Sequence, residues 1–134
     1  MRSGLRSMIV GIALLVCEHA HGGETAGELL NNCRSLEKGK SGSGHLILIP
    51  KTKEALVCWG YFQAMQNLSV WVNENGVRIL GACPPERTTQ LELIHSFLKY
   101  ARQHPAERKS DAALVVTRAF QEAFPCEQAV SPPG

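Results

Sequence analysis

The sequence predicts an all-α fold, a small up-down four-helix domain stapled by two disulfides. Three observations predict it. Apolar residues recur at helical spacing in four segments. Capping residues, prolines and glycines bound those segments. Four cysteines follow what reads as an export signal, an even number suited to an oxidising compartment.

The leader comes first. Arg2 and Arg6 form a positive start, Met8 to Cys17 a short apolar run, and Ala20-His21-Gly22 a small-x-small cleavage site. Cleavage after Gly22 divides the chain into a signal peptide, 1–22, and a mature domain, 23–134. Val16 is bulky for the residue before a lipidated cysteine, so Cys17 is read as part of the leader. Cys33, Cys58, Cys83 and Cys126 then remain, none at C-x-x-C spacing.

The first helix opens at a capping box, Thr25-x-x-Glu28, and places Leu29, Leu30, Cys33 and Leu36 on one face. Gly39 to Gly44 breaks it and makes a linker. His45 to Ile49 is an apolar run closed by Pro50, read as an extended strip on the helices. The second helix starts near Thr52 with two adjoining stripes: Ala55, Cys58, Trp59, Phe62 and Met65, then Tyr61, Met65, Leu68 and Val72. Asn75-Gly76 is expected to end it. A second capping box, Thr89-x-x-Glu92, opens the third helix, with Ile94, Phe97, Leu98 and Ala101 facing inward. His104-Pro105 closes it, because a residue before proline avoids helical geometry. Ser110-Asp111 caps the fourth helix, whose stripe is Ala112, Val115, Val116, Ala119, Phe120 and Ala123. Pro125 stops it, and Ser131 to Gly134 is a tail.

Short connections favour neighbours that run up and down. In that arrangement Cys33 and Cys58 share one end, and Cys83 and Cys126 share the other. Three pairings are formally open, and end-matching selects Cys33–Cys58 and Cys83–Cys126. Loop closure would make them worth about 3.5 and about 4 kcal/mol.

Function classes narrow by composition. A chain of 134 residues with 44% hydrophobic and 19% charged residues suits one folded domain. A net charge of +2 without a basic stripe argues against nucleic acid. No segment reaches the length of a membrane span, so no membrane contact is expected after signal cleavage. His45, His95 and His104 have no second ligand at i+3 or i+4, so neither a metal nor a cofactor is expected. Four paired cysteines leave no thiol nucleophile, and no G-x-S-x-G elbow occurs, so the reading is a binding protein and not an enzyme.

Several motifs at fixed spacing resemble one family. They are Cys33, then Cys58-x-Gly60-Tyr61, Cys83-x-Pro85-x-x-x-Thr89, Lys99-Tyr100-x-x-x-His104-Pro105, Ala112-Ala113-Leu114-Val115 and Phe124-Pro125-Cys126. Together they look like the Rap–Tai immunity proteins, over nearly all of the mature chain. Glu92 stands where that family usually carries Gln. The resemblance implies a periplasmic helical homodimer. Such a protein binds and blocks a peptidoglycan amidase, a papain-like Cys–His peptidase delivered by a type VI secretion system, by covering its cleft. Two other classes fit the residues: an acid-stress chaperone, and a carrier of a hydrophobic ligand.

Charge placement adds a candidate surface. In an up-down bundle the first-to-second and third-to-fourth connections share an end. That end gathers basic residues such as Lys38, Lys53, Lys99 and Lys109, whereas Glu24, Glu28, Glu74 and Glu122 fall at the other. Arg102, His104, Glu107, Arg108 and Lys109, around the third-to-fourth corner, are the candidate partner-binding residues.

Overall fold

A computed structural model describes residues 23–39 and 49–127. The leader 1–22, the linker beyond Gly39, residues 45–48 of the apolar run and the tail lie outside the described residues. Among those described there are four α-helices and no strand: α1 (Ala26–Cys33), α2 (Lys53–Ser69), α3 (Gln90–Gln103) and α4 (Ala112–Ala123). Two 3-10 turns, Arg34–Leu36 and Pro105–Lys109, follow α1 and α3.

The expected caps form. Thr25 and Glu28 bond reciprocally, and so do Thr89 and Glu92, each threonine accepting an amide at 3.3 Å. The Thr52 hydroxyl accepts from the Ala55 amide at 3.2 Å. Asp111 accepts from the amides of Ala113 and Leu114 at 2.9 and 3.3 Å. Each takes up orphan donors that an α-helix leaves at its start.

The core is built around three buried phenylalanines, one from each long helix. Phe62 of α2 meets Phe97 of α3 and Phe120 of α4, with ring centroids 5.6 and 6.2 Å apart. Leu29 of α1, Ile94 of α3 and Val115 and Val116 of α4 are fully buried as well. Ala112 and Ala119 are buried in the stripe of α4, but Ala123, expected with them, is exposed. The disulfides are Cys33–Cys58, with Cα atoms 5.1 Å apart, and Cys83–Cys126, at 4.8 Å. End-matching therefore gave the right partners. The second is reinforced where the Cys83 amide donates to the Phe124 carbonyl at 2.8 Å.

Two placements differ from expectation. Helix α2 stops at Ser69, seven residues before Gly76. The Ser69 hydroxyl turns back to the Gln66 carbonyl at 2.7 Å, and the Arg78 guanidinium caps the carbonyls of Ser69 and Val70. Val70 caps the helix in αR geometry, and beyond it Trp71 and Val72, residue types that favour strands, pair with Arg78 and Ile79. Val72 bridges Arg78, Ile79 N–H donates to Trp71 at 3.1 Å, and Asn73 N–H donates to Val77 at 2.8 Å. Gly76, at φ 75°, makes the turn, so Asn75-Gly76 closes a hairpin and not a helix.

The second difference concerns the start of α1. The Ala26 amide donates to the Ser110 carbonyl, and the Ala112 amide to the Glu24 carbonyl, both at 2.9 Å. The first amides of α1 and α4 thus satisfy one another's flanking chain. Glu24, assigned by charge to the far end, stands on the α3–α4 corner. Gly27 permits this approach: a Cβ there would lie 3.1 Å from the Arg108 carbonyl.

Candidate partner-binding site

The corner between α3 and α4 begins where Pro105 forces His104 out of helical geometry, to φ −120° and ψ 63°. The imidazole stacks on Tyr100, one turn back, with centroids 4.0 Å apart and planes 22° apart. Its Nδ1 lies 3.0 Å from the Tyr100 carbonyl. The Tyr100 hydroxyl donates to Glu107 at 3.2 Å, and Arg118 of α4 donates to the other Glu107 oxygen at 2.8 Å. The Arg118 guanidinium is the main reason Glu107 is held below the usual carboxylate range. Burial, with Glu107 next to it, pushes the Tyr100 phenol up.

Arg108 Nε donates to the Ala101 carbonyl at 3.2 Å, locking the turn back onto α3. Arg102 pairs with Glu37, which follows the first 3-10 turn, and that bond is the largest cause of the lowered Glu37 value. Lys109 is exposed. The five candidate residues thus lie around one corner, but they are not equivalent. Glu107 and Arg108 build it, His104 and Arg102 are partly engaged, and Lys109 points to solvent with no ion-pair partner among the described residues.

A groove of about 370 Å³ adjoins the corner, lined by Glu37, His95, Leu98, Lys99, Arg102 and Gln103. His95, one of the three histidines weighed as ligands, sits there with Nε2 3.3 Å from the Leu36 carbonyl. His45 lies outside the described residues. No group of three or more His, Cys, Asp or Glu suited to a metal occurs among the described residues. Sequence reasoning did not find Arg118 or Glu37, because their partners are 11 and 65 residues away and no local pattern links them.

The corner is therefore a rigid, polar, solvent-facing element without an assembled nucleophile, a feature suited to recognition. Residues 25–126 match the family of Rap1a immunity proteins. The chain belongs to that family. The matched stretch begins on the cap of α1 and ends on the last disulfide cysteine, so it takes in all four helices and both staples. No curated protein and no solved structure matches the chain. As a Rap1a immunity protein it has a toxin for a partner, and membership points to inhibition by binding and not to catalysis.

Proposed function

We propose that the mature domain, 23–134, waits in the periplasm as a homodimer and neutralises a peptidoglycan amidase delivered by a type VI secretion system. Family membership over residues 25–126 carries the reading. Two disulfides fit an oxidising compartment reached through the leader 1–22. No helix among the described residues is long and apolar enough to cross a membrane.

The α3–α4 corner is the inserted element. Arg102, His104, Glu107, Arg108 and Lys109 stand on or beside a turn that Tyr100, Arg118 and the Ala101 carbonyl hold in one geometry. A pre-formed turn loses little freedom on binding. Lys109, and Lys99 beside the groove, face an acidic rim around the amidase cleft and speed association more than they tighten it.

The test uses the purified mature protein and a purified peptidoglycan amidase effector of the type VI class. Peptidoglycan hydrolysis should fall linearly to zero at one equivalent of immunity subunit. Lys109→Glu should slow association about tenfold at low salt and flatten its salt dependence. Arg108 is the poorer choice for reversal, because its bond to Ala101 ties it to the fold. Full amidase activity at excess immunity protein would sink the function. Unchanged association of the Lys109 variant would remove the corner.

A further inference from the structure

The residues before α1 lie along the start of α4. Thr25 and Asp111 form an isolated antiparallel bridge, flanked by the main-chain bonds from Ala26 to Ser110 and from Ala112 to Glu24. This overlap brings Gly23 against the Asp111 side chain. A Cβ on Gly23 would stand 2.7 Å from Asp111 Oδ2, closer than a carbon and an oxygen can sit. The carboxylate thus rests on a stretch of main chain that has no side chain to hold it off. Its two oxygens are used unequally. Oδ1 caps α4 by accepting from the amides of Ala113 and Leu114. Oδ2 accepts no hydrogen bond among the described residues, and Asp111 enters no ion pair there.

The surroundings bring more negative charge and no cation. Glu24 accepts from the Asn32 carboxamide, and Glu28 is bonded to Thr25. The Arg108 guanidinium is turned to the Ala101 carbonyl, and Lys109 points to solvent. Tyr61 of α2 faces the same two carboxylates. Its burial first, and then the charges of Asp111 and Glu24, push the phenol up to about 12. A carboxylate with one unused oxygen therefore stands beside the residue at which cleavage after Gly22 starts the mature chain.

We infer that removal of the leader creates an ion pair between the new α-ammonium of Gly23 and Asp111 Oδ2, latching the start of α1 to the start of α4. The inference rests on the leader reading, with cleavage after Gly22. Hydrolysis by a signal peptidase adds one water across the Gly22–Gly23 peptide bond. The carboxylate departs with the leader. The amine left on Gly23 takes up a proton at neutral pH, its ordinary pKa being about 7.7–8.0. Before cleavage the Gly23 nitrogen is an uncharged amide with one hydrogen, and it makes no bond to Asp111. After cleavage it has a full charge and three donors that rotate to meet Oδ2. The order of events gives the latch a use. A chain crosses an export channel unfolded, so a fold short of one tie while the leader is attached favours passage. The tie forms on the far side, where the leader is removed.

The test is an NMR titration of mature protein recovered from the periplasm and grown with isotope-labelled glycine, following the Gly23 α-carbon. Both partners are exposed, so water screens the pair and the shift is modest. The wild-type amine should titrate about half a unit above its ordinary range, a roughly threefold gain in proton affinity. Asp111→Asn keeps the helix cap, because asparagine serves equally well there, and should return the amine to that range. Glu122→Gln, in the last turn of α4, should leave the wild-type value in place. A raised amine value adds stability that is fully present below about pH 7.7 and is lost as pH rises through the folded value. The urea midpoint of the wild type should therefore fall toward that of Asp111→Asn as pH climbs past about 8.5. Amine values for wild type and Asp111→Asn that agree within about 0.1 unit overturn the inference. A shift that survives Asp111→Asn but vanishes in Glu24→Gln gives the amine to Glu24 and overturns it too. Intact mass of the same sample separates the leader reading from the latch. A first residue other than Gly23 ends both, whereas a chain that starts at Gly23 with an ordinary amine ends the latch alone.

Discussion

Glu107 takes two donors from two elements, the Tyr100 hydroxyl from α3 and Arg118 from α4. Its ionised form is therefore favoured by the fold, and its carboxyl titrates below the ordinary 4.5. Glu28 and Glu37 are lowered in the same direction, the first by bonds to Thr25 and the second by Arg102. A carboxyl depressed by folding contributes its full stability above the unfolded value and loses it as pH falls through the folded one. We expect stability against urea to hold at neutral pH and to decline below about pH 4.5, with a shallower decline for Glu107→Gln; the wild-type slope in that variant would rule Glu107 out. Sequence alone marks Glu107 as a corner residue but not as a keystone, because Arg118 sits on the polar face of α4 like any solvated charge.

Elements were legible where their signals are local. Both capping boxes, the Asp111 cap and the His104-Pro105 stop act within a few residues, and each stands where the sequence puts it. The end of α2 was misread because Asn-Gly serves two purposes, a helix stop and a hairpin turn. The β-branched and aromatic residues on both sides, Val70, Trp71 and Val72 before the turn and Val77 and Ile79 after it, were the signal for the second. Glycine substitution separates the two roles. Gly76→Ala forces a side chain into φ 75° and should lower stability of the hairpin by about 1 kcal/mol. Gly60→Ala lies inside α2 with nothing within 4 Å of the new methyl, and should raise stability by about 0.5–1 kcal/mol. Urea denaturation of both variants at a concentration where the oligomeric state is fixed checks the opposite signs.

Over the whole molecule, α4 separates two features. Its start carries the polar corner, and its end carries the Cys83–Cys126 bond and the base of the hairpin. The helical class followed from periodicity, and the disulfide partners from matching the ends of helices in an assumed up-down order. The position of α1 did not. Its eight residues cannot run the length of the longer helices, and its start is fixed by main-chain bonds to Ser110 and Ala112, more than eighty residues away. Main-chain bonds of that kind leave no trace in side-chain pattern, and an axial charge map drawn from topology alone put Glu24 at the wrong end.

The loops closed by the two disulfides lie one after the other along the chain, 33–58 and then 83–126, without nesting or crossing. A chain threaded amino-terminus first through an export channel offers Cys33 and Cys58 to the oxidising side before Cys83 emerges. A thiol oxidase that joins cysteines in order of arrival makes the native bonds at the first attempt, and no mixed disulfide has to be undone. Yield in the periplasm should therefore collapse in cells lacking the oxidase and stay near normal in cells lacking the disulfide isomerase, as quantified by non-reducing gels; dependence on the isomerase would mean that the chain leaves the channel before its first bond forms.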